Sequence, residues 1–297
     1  MNDEIHIAFA CNDNYLFGAE VMISSVMHHT RRNVFFHLLT FSLSDVGVQH
    51  IERVVSLYAN ARLQVVHGMD LEVNANHSIS YLSNETYCRL MTPAMLPNVE
   101  KLLYLDIDLL IRGDVAELYD TDLSGYLVAG VEEEQMRGNG YPSAIGMKRA
   151  ENYVNAGVLL MNLKALRDSG CGDEMLRRIT GNTFRFADQD ILNLTCEGRV
   201  LALPRRFNFN LYYYRVYKRE RANSVIIHFT GPDKPWGANG KRRWCNRLWR
   251  MSAVRLRIAL FIGSGNRIVT GVLSKAWFAC ASAVDAVVRM KLRSQHK

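Results

Sequence analysis

The chain has little of several things that would place it in a class at once. Its six cysteines, at positions 11, 88, 171, 196, 245 and 280, contain no Cys-x-x-Cys pair and no regular spacing. That excludes a disulfide-stapled scaffold and a thiolate zinc site, and it fits a reducing compartment. No uninterrupted apolar run is long enough for a membrane span, and the best stretch, IVTGVLSKAWFACASAVDAVV, is broken by Lys275 and Asp285. The opening MNDEIHIAFACNDNY starts acidic and goes straight into an apolar strand, so no signal peptide is expected. Internal repeats and low-complexity tracts are absent. Acids nearly vanish beyond residue 240: thirteen Lys and Arg there face one acid, Asp285. The other 240 residues carry 23 basic against 28 acidic groups, so the net charge of +7 belongs to the C-terminal segment. A nucleic-acid surface over the main body is thereby excluded.

What is present reads as one large α/β domain with an appendage, in 297 residues of ordinary 48% hydrophobic content. EIHIAFAC, VFFHLLTFS and RLQVVHG read as strands, with helices in NDNYLFGAEVMISSVMHH and SDVGVQHIERVVSLYA between them, the second opened by Ser44 as N-cap. This β-α-β-α-β order predicts a parallel sheet with crossover helices. Next come a helix in NETYCRLMTPAML, one strand over LLYLDIDLLI, another in YLVAGVEE, and a Gly-rich loop, QMRGNGYPSAIG. YVNAGVLLMNLKALRDSG reads as a turn and strand entering a helix, and DEMLRRITGN and DQDILNLTCEG as short helices. RVLALPRRFNFNLYYYRVY reads as a strand and an aromatic-rich loop, and SVIIHFTGPDKPW as a last strand meeting a Gly/Pro loop. The boundary falls near Trp244, giving a main domain of residues 1–243 and a basic, mainly helical extension of residues 244–297.

Within LLYLDIDLLI, Asp106 and Asp108 are two like charges in an otherwise apolar run. Left unpaired among such neighbours, a carboxylate costs several kcal/mol or shifts its pKa. Two acids one residue apart, where a strand ends, can instead converge on a hard cation such as Mg²⁺ or Mn²⁺. The same spacing recurs at Asp120-Thr-Asp122, which reads as turn chemistry, and at Asp188-Gln-Asp190, which reads as a helix start. Only the first pair follows a central-strand run. Three more polar clusters stand at strand boundaries: CNDNY, Asn155-Ala-Gly157, and HFTGPDKPW with His228, Gly231 and Lys234. Ligands of open parallel sheets bind outside the carboxyl ends of the strands, so these clusters can meet in one site. Singly, each has a plainer reading: His228 a strand histidine, Arg89 a salt-bridged arginine, Lys234 a solvated charge, Asp188 a helix cap.

Taken together and in this order, FACNDNY, TYCRL, YLDIDLLI, YVNAGVLLMNL, DQDILN, RFNFN and HFTGPDKPW resemble the retaining glycosyltransferases of family 8, over roughly residues 5 to 236. That family includes glycogenin and the bacterial lipopolysaccharide and lipooligosaccharide galactosyl- and glucosyltransferases. The resemblance implies a GT-A fold, a Rossmann-like, mixed but mainly parallel sheet flanked by helices. It implies Mn²⁺, or Mg²⁺, held by Asp106, Asp108 and His228. It assigns Ala10, Asn12, Asn14, Tyr15, Gly231 and Lys234 to the nucleotide of a UDP-hexose. Arg89, Asp106, Asn155, Ala156, Asp188 and Gln189 fall to the donor sugar, Gln189 and Asp188 being the catalytic candidates. Many members have Asp where this chain has Asn12, whose carbonyl can accept the same hydrogen bond without the charge.

The implied reaction is metal-dependent, retaining transfer of galactose or glucose to a saccharide or glycolipid acceptor, with front-face transfer favoured and double displacement open. The acceptor loops are expected around residues 74–84, 132–145 and 207–217. Trp249, Trp277 and Phe278, interleaved with Arg and Lys, read as an interfacial segment drawn to anionic lipid, which implies a cytoplasmic protein peripheral to the inner face of the cytoplasmic membrane. Two alternatives stand beside this: a membrane-associated sugar-nucleotide binding protein without turnover, and a self-glycosylating primer using a tyrosine of LYYYRVY.

Overall fold

The structure, a computed structural model, describes residues 4–68, 84–149, 152–180, 184–237 and 244–263. The first three strands, β1 (Ile5–Ala10), β2 (Val34–Thr40) and β3 (Ala61–His67), run parallel, joined by α1 (Leu16–His29) and α2 (Asp45–Val55). Ser44 caps α2 as its sequence predicts, its hydroxyl accepting from Gly47 N–H at 3.1 Å. After α3 (Cys88–Met95) the chain enters β4 (Lys101–Leu105), which pairs parallel with β1 on the side away from β2. Pro93 inside α3 leaves the Arg89 carbonyl without its helical N–H, and the Thr92 hydroxyl donates to that carbonyl instead, at 2.8 Å.

LLYLDIDLLI is not one strand. The chain leaves β4 at Leu105 and resumes as β5 (Leu109–Ile111), which belongs to another sheet. Each side of the break is tied down: Asp106 N–H donates to Gly157 O at 2.8 Å, and Phe229 N–H donates to Asp108 O at 2.9 Å. Apolar periodicity sees only that both flanks are buried; the two ionisable side chains between them require an exit from the ladder.

The remaining elements are α4 (Ala116–Tyr119), β6 (Val128–Glu132), α5 (Tyr141–Ala144), β7 (Val154–Asn162), α6 (Leu163–Asp168), α7 (Cys171–Ile179), α8 (Ala187–Thr195), β8 (Val200–Ala202), β9 (Phe209–Asn210), α9 (Leu211–Val216), β10 (Ile226–His228) and α10 (Trp244–Gly263). The main sheet runs β3-β2-β1-β4-β7-β6-β8, with β7 antiparallel to both neighbours; the smaller runs β5-β10-β9. Core residues pack on both faces of the main sheet, which is the mixed, mainly parallel, helix-flanked arrangement the resemblance implies.

Two further readings change. Asn155-Ala-Gly157 is no turn but the buried start of β7, which runs against β4 and so begins beside the end of β4. LYYYRVY is no loop but α9, started by Asn210, whose side chain accepts from Tyr213 N–H at 3.0 Å; Tyr213 and Tyr214 are buried. The Gly-rich QMRGNGYPSAIG also holds two short helical turns, Glu134–Met136 and α5.

Helix α10 joins the main core. Trp249 is 1% exposed, edge-on to Phe17 of α1 with ring centroids 5.1 Å apart, and 5.3 Å from the ring of Trp236. It is therefore a packing residue, while Trp277 and Phe278 lie outside the described residues. Among the described residues no helix is long and apolar enough to cross a membrane. Trp249→Ala is expected to cost about 3–5 kcal/mol, read as a lower urea-unfolding midpoint.

A second prediction comes from the His6 and His37 pair on β1 and β2. His37 is 1% exposed, with its Nε2 3.0 Å from His6 Nδ1 and the rings stacked 5.3 Å apart. Burial, with His6 beside it, pushes the His37 imidazole down from 6.5 to about 4. The neutral pair therefore stabilises the fold fully above about pH 6.5, and that contribution is lost as pH falls toward about 4. His37→Gln is expected to flatten this limb of the unfolding midpoint against pH.

Candidate active site

Strand order reverses beside β1: β2 and β3 lie to one side, β4 to the other. Such a switch point leaves a crevice at the strand ends, and here it is an open cleft of about 240 Å³. Ala10, Asn12 and Tyr15 follow β1 on one wall; Asp106 and Asp108 follow β4 at the floor; Gly231, Lys234 and Trp236 follow β10. Arg89, Asn155, Ala156, Asp188, Gln189 and His228 complete the surface, so every candidate site residue lines the cleft except Asn14. Asn14 is exposed on the turn after β1, its N–H donating to Asn12 Oδ1 at 3.1 Å.

The floor is a charge cluster. His228 Nε2 stands 3.2 Å from Asp108 Oδ1 and 3.8 Å from Asp106 Oδ2, and Lys234 Nζ 2.5 Å from Asp108 Oδ2. Burial raises the cost of a charge on Asp108, but Lys234 and His228 outweigh it and hold the carboxyl well below the usual carboxylate range. One ligand atom from each of Asp106, Asp108 and His228 lies within 4.8 Å of the others, and no other such His, Cys, Asp and Glu group occurs among the described residues. Two carboxylates and an imidazole fit a divalent cation of Mn²⁺ or Mg²⁺ character. The backbone makes room for two of these side chains: a Cβ added at Gly157 would sit 2.6 Å from Asp106 Oδ2 and 3.0 Å from His228 Nδ1, and closer still to His228 Cε1.

Arg89 organises the neighbouring wall. Its side chain is almost fully buried over the Tyr104 ring, and it reaches Asp106 Oδ1 and Asp188 Oδ2, each at 2.8 Å, as well as the Ala156 carbonyl. Burial opposes its charge, but the two carboxylates raise its pKa. Asp188 feels the same burial, which with Asp106 nearby pushes its carboxyl up to about 7 against the pull of Arg89. Gln189 accepts from Ala156 N–H at 3.1 Å and donates to the Tyr153 hydroxyl at 3.2 Å. Just before them, Ala187 has φ +44°, the one non-glycine in the left-handed region among the described residues. Strain of this kind, about 1–3 kcal/mol, collects at functional sites.

The repeated Asp-x-Asp spacing is now resolved. Asp188 and Asp190 sit on a helix and point apart: Asp188 into the cleft, Asp190 into the core, where it accepts from the Tyr141 and Tyr153 hydroxyls and from Phe186 N–H. Asp120 pairs with Arg32, and Asp122 accepts from Ser124 in a turn.

Sequence reasoning missed several residues. Glu85 lines the cleft and accepts from Asn12 Nδ2 at 3.2 Å. Trp236 meets the Tyr15 ring edge-on at 6.4 Å and backs onto Trp249. Asn208 meets His228 Nδ1 at 2.9 Å. The paired asparagines of RFNFN were their only visible sign for Asn208; the partners of Glu85 and Trp236 are distant in sequence.

The family model of glycosyl transferase family 8 matches residues 6–240. This chain belongs to glycosyl transferase family 8. It is 25% identical over 247 residues to a lipopolysaccharide 1,2-glucosyltransferase of Escherichia coli K12, covering 78% of this chain and 72% of that one. It is 27% identical over 262 residues to a lipopolysaccharide 1,3-galactosyltransferase of Salmonella typhimurium LT2, covering 80% and 74%. Among solved structures it is similar to the galactosyltransferase LgtC in complex with donor and acceptor sugar analogues, with TM-score 0.66, 30% identity, and 84% and 95% coverage. The chain is thus a glycosyltransferase, and this cleft is its candidate active site.

The close approach at Gly157 gives a test. Gly157→Ala is expected to displace Asp106 or His228 and lower glycosyl transfer by about a hundredfold, with circular dichroism and unfolding midpoint near wild type.

Proposed function

We propose that this protein is a divalent-metal-dependent, retaining hexosyltransferase that moves galactose or glucose from a UDP-sugar to a saccharide acceptor, of the lipopolysaccharide or lipooligosaccharide kind. The observation that carries the reading is the convergence of Asp106, Asp108 and His228 beside Lys234 on the floor of the cleft. Those three side chains would hold Mn²⁺ or Mg²⁺, which supplies Lewis-acid stabilisation of charge on a departing diphosphate. Lys234, tethered to Asp108, adds a second positive charge for the same oxygens. Gly231, with φ +88°, gives the loop the left-handed turn that brings backbone close to that anion. Tyr15 and Trp236 offer an aromatic wall for the nucleoside, and Asn12 its polar edge.

The donor sugar falls to Arg89, Asp106, Asn155, Ala156, Asp188 and Gln189. Bond breaking places positive character on the anomeric carbon, and the Gln189 carbonyl and Asp188 carboxylate are electron-rich groups that stabilise it. The Arg89 guanidinium, 2.8 Å from Asp188, ties that carboxylate down. This supports an electrostatic role and front-face transfer with retention over a covalent glycosyl-enzyme, which needs an unencumbered acid about 3–3.5 Å from the reacting carbon.

We assign residues 1–243 to catalysis and 244–297 to an extension that brings the enzyme to an anionic membrane surface on the cytoplasmic side. Support comes from its ten basic residues against one acid, and from the exposed Arg247, Val254, Arg257 and Phe261 on one length of α10. Basic residues near such a surface contribute about 1 kcal/mol each.

The test is UDP release from UDP-galactose and from UDP-glucose with Mn²⁺ and no acceptor. Wild type is expected to release UDP from one donor, and chelator or Asp108→Ala to abolish it with the fold retained. Undiminished release in excess chelator would sink the reading.

A further inference from the structure

A buried polar chain runs away from the cleft behind His228. His228 Nδ1 lies 2.9 Å from Asn208 Oδ1, Asn208 Nδ2 donates to Asn155 Oδ1 at 2.9 Å, and Asn155 Nδ2 donates to Glu133 Oε2 at 2.9 Å. The other Glu133 oxygen accepts from Gln135 Nε2 at 3.1 Å and Asn210 Nδ2 at 3.3 Å. Glu133 is 7%, Asn155 9%, Asn208 0% and His228 3% exposed, so water does not compete for these groups. A carboxylate placed so deep, met by three amides, carries a desolvation cost that wants a purpose.

The direction of every bond in this chain is forced from its ends. Asn155 Oδ1 accepts from Gly157 N–H at 3.0 Å, and a backbone N–H can only donate. An ionised Glu133 can only accept, so the Asn155 amide cannot flip. Its oxygen thus faces Asn208, which must donate with Nδ2 and present Oδ1 to the imidazole. His228 Nδ1 must then carry a proton, leaving Nε2 to face Asp106 and Asp108.

We propose that Glu133, Asn155 and Asn208 form a positioning relay that fixes the tautomer of His228 with Nδ1 protonated, so that its Nε2 lone pair is the one offered to a cation. The inference rests on the reading of His228 as a metal ligand. It also gives Asn155 a task besides lining the cleft. The relay matters because the two acids work against it. With Nδ1 unconstrained, a neutral imidazole gains most by placing its proton on Nε2 and donating to Asp108, the form that cannot bind metal. Partners of this kind behind a ligand histidine alter metal affinity by about 10–100-fold when removed.

The experiment is ¹⁵N NMR of imidazole-labelled, metal-free protein at alkaline pH, with Mn²⁺ affinity measured separately by electron paramagnetic resonance in the presence of UDP. In wild type, His228 Nδ1 is expected to carry the proton and Nε2 to be bare. In Asn208→Ala the proton is expected to move to Nε2, with Mn²⁺ affinity down about 10–100-fold and the unfolding midpoint recorded alongside. Should that variant not fold, Asn208→Leu, which keeps the volume but removes the acceptor facing Nδ1, is expected to move the proton to Nε2 in the same way. A wild-type His228 protonated on Nε2 with Nδ1 bare, or an Asn208→Ala protein with unchanged tautomer, overturns the proposal. Failure of wild type to bind Mn²⁺ with the tautomer as expected overturns the metal reading and leaves the relay standing.

Discussion

The structure depends on keeping three carboxylates, Asp106, Asp108 and Asp188, together in a cleft whose walls are otherwise protein interior. Among the described residues two permanent cations, Arg89 and Lys234, pair with them. Like charges at such spacing repel strongly where water is scarce. The fold answers with geometry: Arg89 is shared between two acids, Lys234 is bound to the third, and Asp106 and Asp108 stand on the short stretch between β4 and β5 where the chain passes from one sheet to the other. That arrangement still leaves three carboxyl groups sharing two permanent cations, before His228 is considered. A site left short of positive charge is complementary to a divalent cation, and a cation there is in turn complementary to a diphosphate.

Much of the surrounding structure serves to hold this cluster still. The ladder of β7 against β4 fixes Asp106 through Gly157, and the smaller sheet fixes Asp108 through Phe229. Asp190 gathers two tyrosine hydroxyls and a backbone N–H behind Asp188 and Gln189, holding the strained start of α8 in place. Glu133 does the equivalent behind His228. Buried polar groups of this sort are costly unless fully partnered, and once partnered they restrict the site to one arrangement.

The C-terminal segment joins this core through its first helix. Trp249 lies between Phe17 and Trp236, and Trp236 in turn forms part of the cleft wall beside Tyr15. One contiguous set of rings therefore connects the helix that begins the basic extension to the site where we place the nucleoside. The aromatic content that reads as interfacial in sequence is, at Trp249, structural.

The sequence by itself determined the parallel first half, the Ser44 cap, the site at the strand ends, and the acids, histidine and lysine that meet there. Apolar periodicity and residue chemistry are local, and those features are local too. The break of LLYLDIDLLI between two sheets, Asn155-Ala-Gly157 as the start of an antiparallel strand, and LYYYRVY as a capped helix were decided only by tertiary structure. Each depends on which distant strand supplies a hydrogen-bond partner or which core receives a side chain. The same holds for Glu133, Asn208, Glu85 and Trp236, ordinary residues whose positions follow from partners tens of residues away. The pairs Asp106/Asp108 and Asp188/Asp190 show the difference most simply: at identical spacing the first pair, at a strand end, converges on the cleft, while the second, on a helix, splits between cleft and core.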